Sequence, residues 1–310
     1  MLALRGSFVA LVTPFRQKSP GRRRYGGMLD QTALRALVRW QLAQGTDGLV
    51  PCGTTGEGAT LSAEEAQLAT RICAEESAAF AKKSGTARAP VVTGCGSNST
   101  AHTIENVQRA KEAGADAALV VVPYYNKPTQ EGLFRHFEAV AHDGGLPVVL
   151  YNIPSRSGVD MTAETVARLS RVKGIVGIKE ASGNIARISE IREKCPPAFV
   201  LFAGDDMFTL PTLALGGHGV ISVVGNIAPA DLALLVDAFA AGNLAQAQSA
   251  QQRFSPLVRA MFCETNPAPV KYALFKMGRV ANELRLPLVA VSTDAAAKID
   301  AAMKAYGDLS

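Results

Sequence analysis

GIVGIKEA, residues 174–181, is a short apolar run with the composition of a buried strand, and Lys179 stands near its end. Lysine is almost never fully buried unless it is paired. A strand that turns one inward therefore needs a chemical reason. A solvated lysine titrates near 10.4, which leaves roughly one side chain in 2,500 as the free amine at pH 7. An apolar pocket or a nearby cation lowers that value and yields a nucleophile that condenses with a carbonyl. The alternative is a strand-end lysine whose stem lies on apolar surface while its head reaches water. The rest of the chain favours the first reading.

The same pattern recurs on both sides of this run. SFVALV (7–12), DGLVPCG (47–53), PVVTGCG (90–96), ADAALVVVP (115–123) and LPVVLYN (146–152) precede it, and AFVLFAGDD (198–206) and HGVISVV (218–224) follow. Helical apolar spacing fills the gaps, over 30–44, in an Ala/Glu-rich stretch after Ser62, in TAETVARLSRV (162–172) and in NIARISEIREK (184–194). Runs apolar on both faces and separated by helices are what a parallel sheet buried on both sides requires. About eight such units close a barrel in a chain of this length. A doubly wound dinucleotide-binding sheet would carry a Gly-rich fingerprint in its first turn, and FVALVTPF has none. The expected fold class is α/β, a (β/α)8 TIM barrel with a C-terminal helical extension. After 226 the strands stop, and 229–241, 243–262, 268–279 and 294–306 read as helices. The expected division is thus a barrel over 1–226 carrying the active site and an extension over 227–310 packed on it.

Composition narrows the function classes. Thirty-two basic residues against 27 acidic ones leave a net charge of only +5, too small to argue for a polyanionic partner. Arg22, Arg23 and Arg24 cluster inside QKSPGRRRYGG (17–27), which reads as an exposed loop; no aromatic platform accompanies it, so no nucleic acid is expected. Five scattered cysteines without a C-x-x-C pair suggest neither a disulfide framework nor zinc, and point to a reducing compartment. The four histidines form no H-E-x-x-H set, so no metal is expected, and there is no G-x-S-x-G elbow. FVALV (8–12) is too short for a secretory h-region, and no run of about 18 apolar residues could span a bilayer. A soluble cytoplasmic protein without a membrane partner is the expectation.

Polar residues gather at the C-terminal ends of the apolar runs: GTTGE (53–57), GSN (96–98), YYN (124–126), YN (151–152), Lys179-Glu180, GDD (204–206) and Asn226. In a barrel those ends share the mouth where catalysis occurs. Glycines flanking Thr54 and Thr55 let backbone N–H groups and two hydroxyls face an anion, and the short loop suits a carboxylate; an ordinary glycine turn with a helix cap is the alternative. Tyr124, Tyr125 and Tyr151 put three of six tyrosines at the expected mouth. A phenol beside a forming imine can relay protons, although isolated tyrosines are more often core residues. Arg156, in the loop YNIPSRSG (151–158), offers a bidentate fork for a carboxylate, or is a surface arginine.

Taken in order, GTTGEGATLS (53–62), VVPYYNKPTQEGL (121–133), LYNIPSRSG (150–158), GIKEASG (177–183), GDD (204–206), GGHGVISV (216–223) and NPAPVK (266–271) make the chain resemble the dihydrodipicolinate synthase / N-acetylneuraminate lyase superfamily of class I aldolase barrels. The PYYN, YNIPSRSG and NPAPVK segments favour its synthase branch. The resemblance implies pyruvate joined to Lys179 as a Schiff base, with its carboxylate on the Thr54–Thr55 loop. It implies Tyr151 as proton shuttle, linked through Thr54 to Tyr125, which crosses from a neighbouring subunit. It implies Arg156 as the grip on the carboxylate of L-aspartate 4-semialdehyde, and backbone near Gly204 and Ile221 lining the pocket. The product would be 4-hydroxy-tetrahydrodipicolinate, in diaminopimelate and lysine biosynthesis. No metal or organic cofactor is needed on this scheme, and a homotetramer built as a dimer of dimers is implied.

Some relatives bind lysine as a feedback inhibitor. Asn98 and Tyr124 match that effector set, but His102 replaces an acidic residue, and Ala63 and Ala66 fall where histidines occur. Weak or absent lysine inhibition is therefore expected. Two rival readings stand beside the favoured one: another pyruvate-dependent aldolase acting on a sugar acid or aromatic aldehyde, and a non-catalytic pyruvate-binding regulatory barrel. Arg156 with the tandem tyrosines disfavours the first. The set Lys179, Tyr151, Thr54 and Tyr125 disfavours the second.

Overall fold

In the computed structural model, residues 4–16, 26–307 and 309 are described. Each of the eight apolar runs forms a strand: β1 Gly6–Ala10, β2 Gly48–Val50, β3 Val92–Gly94, β4 Ala117–Val121, β5 Val148–Asn152, β6 Ile175–Glu180, β7 Val200–Ala203 and β8 Gly219–Ser222. Neighbours pair in parallel in the order β2-β1-β8-β7-β6-β5-β4-β3. A parallel bridge between Leu49 and Val91 joins β2 to the start of β3 and closes the sheet. The expected TIM barrel is the fold.

Helices α1 Gln31–Ala43, α2 Ala63–Ser84, α3 Thr100–Glu112, α4 Gln130–Asp143, α5 Pro154–Ser157, α6 Ala163–Leu169, α7 Ile185–Lys194 and α8 Thr209–Ala214 alternate with the strands. Their starts are written locally. Ser62 and Glu65 form a reciprocal capping box on α2, and the Thr129 side chain caps α4. Beyond the barrel run α9 Pro229–Ala240, α10 Leu244–Met261, α11 Ala268–Lys276 and α12 Thr293–Tyr306. Helix α9 packs on β1, α10 on α9, and α12 on both α10 and α11.

The two-residue period of the strands sorts side chains into two layers. Phe8, Ala10, Val50, Leu119, Val149, Tyr151, Phe202 and Ile221 fill the barrel interior. Val148, Leu150, Ile178 and Leu201 face the surrounding helices. One irregularity decides the site. Val148 pairs with Ile175 but Val149 pairs with Gly177, so β6 carries one extra residue at Val176. Ile175 and Ile178 both lie in the outer layer, while Val176 packs inward. Strict alternation from Ile175 would have put Lys179 outside. The bulge brings it into register with inward-facing Tyr151 and Phe202, and so into the barrel.

Of the expected loop over 17–27, only Gly26 and Gly27 are among the described residues. Asp206 and Asn226 close the sheet near the mouth. The Asp206 carboxylate accepts from the Ser222 hydroxyl and from the Val223 amide at 3.0 Å, and burial pushes its carboxyl up. The Asn226 side chain joins Val12 N (3.1 Å) and Ala10 O (2.7 Å).

Candidate active site

Lys179 is buried, with 5% of its surface exposed, and has no anionic partner among the described residues. Its Nζ lies 4.4 Å from the centre of the Tyr151 ring, a cation–π contact. The next residue on each of these strands, Glu180 on β6 and Asn152 on β5, forms a register pair. Asn152 Nδ2 donates to Glu180 Oε2 (3.1 Å) and to Asp160 Oδ1 (2.8 Å), and the Ser182 amide donates to Glu180 Oε1 (2.7 Å). Arg187 completes the network through Asp160 Oδ2 at 3.1 Å. Burial pushes the Glu180 carboxyl up, against these hydrogen bonds. The strand ends that carry the lysine and the tyrosine are thereby fixed to each other.

The GTTGE loop after β2 is held just as firmly. Asn266 Nδ2 donates to Thr55 Oγ1 (3.0 Å), Thr13 Oγ1 donates to Gly56 O (2.6 Å), and the Glu57 amide donates to Thr54 O (3.1 Å). Gly58 must be glycine, since a Cβ there would meet Cys52 O at 2.2 Å. The backbone N–H groups of Thr54 and Thr55 find no acceptor among the described residues. A loop with unpaired backbone amides, whose Thr54 lines the cavity, is suited to a carboxylate.

A cavity of about 570 Å³ opens at this mouth, within the usual range for small-molecule sites. Thr54, Tyr124, Tyr151, Ile153, Arg156 and Asn266 stand in its wall. Lys179 meets that wall through the Tyr151 ring. Arg156 sits on α5, where its Nη2 donates to Asn266 O at 3.2 Å.

The other residues singled out in the sequence divide. Thr55 is buried behind Thr54 in the loop, and Ile221 is buried in the inner layer. The Gly204 amide donates to Glu180 O at 2.7 Å, and a Cβ there would come within 2.6 Å of the Ala181 side chain. None of these three stands in the cavity wall. Tyr125 is 87% exposed, with φ +74°, and is not brought to the wall within this chain. Of the effector set, Tyr124 lines the cavity, as do Ala63 and Ala66, whereas Asn98 and His102 do not. Asn98 O accepts from Asn126 Nδ2 at 2.8 Å, and His102 is exposed at the start of α3.

Sequence reasoning missed Glu57, Asn266, Lys271 and Arg285. Lys271 Nζ meets Glu57 Oε1 at 2.5 Å with both side chains fully buried, and the Arg285 amide donates to Glu57 Oε2 at 3.1 Å. A signal existed: Lys271 interrupts the apolar run APV-K-YALF (268–275), the feature that flagged Lys179.

Comparisons with known proteins agree with this geometry. The Dihydrodipicolinate synthetase family matches residues 3–306. The chain is 48% identical over 303 residues to a 4-hydroxy-tetrahydrodipicolinate synthase of Syntrophus aciditrophicus, covering 98% of each chain. It is 53% identical over 285 residues to one of Oleidesulfovibrio alaskensis, covering 92% of each. Among solved structures, a chloride-inhibited dihydrodipicolinate synthase of Acinetobacter baumannii, complexed with pyruvate, superposes with a TM-score of 0.91 at 39% identity, over 98% of this chain and 99% of that one. A barrel with a buried strand-end lysine, matched end to end at this level of identity, belongs to the Dihydrodipicolinate synthetase family.

Proposed function

We propose that the protein is a class I aldolase-type lyase that condenses pyruvate with L-aspartate 4-semialdehyde to give 4-hydroxy-tetrahydrodipicolinate. The observation that carries this reading is Lys179, buried on the inner face of β6 without a counter-ion among the described residues and packed on Tyr151 at the wall of the cavity. An amine so held, unpaired beside a proton-relaying phenol, condenses with a keto group. The Acinetobacter baumannii neighbour complexed with pyruvate supports the choice of keto acid.

On this reading the Lys179 amine attacks the pyruvate carbonyl to give a carbinolamine, which loses water to form the imine. The pyruvate carboxylate sits on the Thr54 and Thr55 amides. Tyr151 hands protons to and from the carbinolamine, with Thr54 and Tyr125 continuing the relay. Loss of a methyl proton gives the enamine, whose carbon attacks the aldehyde of the second substrate. Arg156 holds that substrate's carboxylate, and Gly204 and Ile221 shape the floor. The substrate amine then displaces Lys179, closing the ring and freeing the enzyme. Covalent electron withdrawal by the lysine and a tyrosine relay suffice for each step, without metal or organic cofactor.

Tyr125 is so exposed in one chain that its place in the relay requires a second subunit, and the dimer of dimers rests on the family resemblance. A cytoplasmic setting fits a biosynthetic role, and among the described residues no helix is long and apolar enough to cross a membrane. We treat 1–226 as the barrel carrying the site and 227–310 as its C-terminal extension.

Borohydride reduction in the presence of pyruvate, followed by peptide mass analysis, is the direct test. A reduced pyruvyl adduct on Lys179 is expected. No adduct, or one on another lysine, would overturn the scheme.

A further inference from the structure

The loop that offers the Thr54 and Thr55 amides is fastened from the far end of the chain. Glu57, two residues after Thr55, lies at φ +52°, a left-handed conformation unusual for a residue with a side chain. Such a conformation persists where its surroundings over-determine it. Here one carboxylate oxygen accepts from Lys271 on α11 at 2.5 Å, and the other from the Arg285 amide at 3.1 Å. Phe15 covers both cations, with Lys271 Nζ at 4.3 Å and Arg285 Cζ at 4.2 Å from its ring centre. Five residues before Lys271, Asn266 bonds Thr55 with its side chain and receives Arg156 on its carbonyl. One C-terminal segment thus contacts the loop twice and Arg156 once.

A fully buried ion pair is a poor way to gain stability, because apolar residues of similar volume do as well or better. What a charged, two-point hydrogen bond does supply is fixed geometry. We propose that the Glu57–Lys271 pair is a positioning device that sets the Thr54–Thr55 loop for the carboxylate of the keto acid, so that the C-terminal segment takes part in substrate binding. This rests on the reading of the loop as the pyruvate carboxylate site. Neither residue touches the reacting atoms. Their effect passes through the backbone of the loop, where a small displacement of a binding group has large consequences.

The test separates positioning from folding. Lys271→Met leaves a buried carboxylate without its partner. Lys271→Met with Glu57→Gln removes both charges, and is expected to recover most of the melting temperature that the single variant loses. Glu57→Gln alone keeps one acceptor oxygen, for Lys271, and loses the acceptor for the Arg285 amide. Each protein is assayed below its own melting transition, with KM for pyruvate and kcat measured separately. The expected result is a pyruvate KM raised about ten-fold or more in Lys271→Met and still raised in the double variant, with kcat changed much less. Glu57→Gln should lie closer to wild type. A wild-type pyruvate KM in folded Lys271→Met or in the folded double variant would overturn the proposal. Borohydride trapping on the wild-type enzyme is run alongside. An adduct on Lys179 with an unchanged KM in those variants sinks the positioning role alone, whereas no wild-type adduct sinks the reading of the loop and this proposal with it.

Discussion

Lys179 at the barrel mouth and Lys271 beneath the GTTGE loop are the two buried lysines among the described residues, and their surroundings differ in one respect that sets their chemistry. Lys271 faces a carboxylate, and Lys179 faces the ring of Tyr151, which stands in the cavity wall. Burial pulls the Lys271 amine down from its ordinary value while Glu57 resists, and the hydrogen bond to Glu57 occupies the amine. Lys179 has no such partner, and its amine is available to an incoming carbonyl. Burial alone does not make a lysine a nucleophile. Burial without a counter-ion, against a tyrosine of the cavity wall, leaves the amine unoccupied.

The comparison breaks most directly at its reactive side. Lys179→Ala should lower condensation activity by about 10³-fold or more and abolish borohydride trapping; ring-forming activity near the wild-type level would end the contrast. Stability should respond in the opposite sense at the two sites. Lys271→Met strands Glu57 and should cost about 3–5 kcal/mol in denaturant unfolding. Lys179→Met removes an unpaired buried amine and should leave stability unchanged or raised. Equal losses in both would show that the two lysines are anchored alike.

Arg156→Ala sharpens the account of the mouth. It removes charge-assisted hydrogen bonds worth about 1.5–3 kcal/mol, and should raise KM for the semialdehyde roughly ten- to 150-fold while pyruvate trapping persists. The smallest effect is expected at the rim. His102 is exposed and neither it nor Asn98 joins the cavity wall, so L-lysine should inhibit weakly or not at all. Half-inhibition by sub-millimolar L-lysine in a steady-state assay would contradict this.

The strands and helices were legible because their signals are local. Two-residue and helical periodicities, the Ser62–Glu65 cap and the glycine turns each span a few residues. Lys179, Tyr151 and Thr54 were legible for the same reason: each ends an apolar run, and a closed barrel brings such ends together. What escaped depends on distant partners. Glu57 and Lys271 are 214 residues apart; Glu57 alone resembles a surface charge, and the apolar run around Lys271 does not name its partner. Asp206 and Asn226 read as mouth residues, yet their side chains are consumed in holding β1 and β8. The extra residue at Val176 is visible only against β5, because a bulge is a property of two strands rather than one.

That single insertion marks a place where β6 can change length without moving its lysine. Substitutions around Lys179 change its environment by degrees. Deleting one residue between Ile175 and Lys179 would remove the bulge and restore even counting along β6, with the lysine still opposite Tyr151 on the inner face. The reactive group is thus placed by its pairing with β5 and β7, not by the number of residues that precede it in β6.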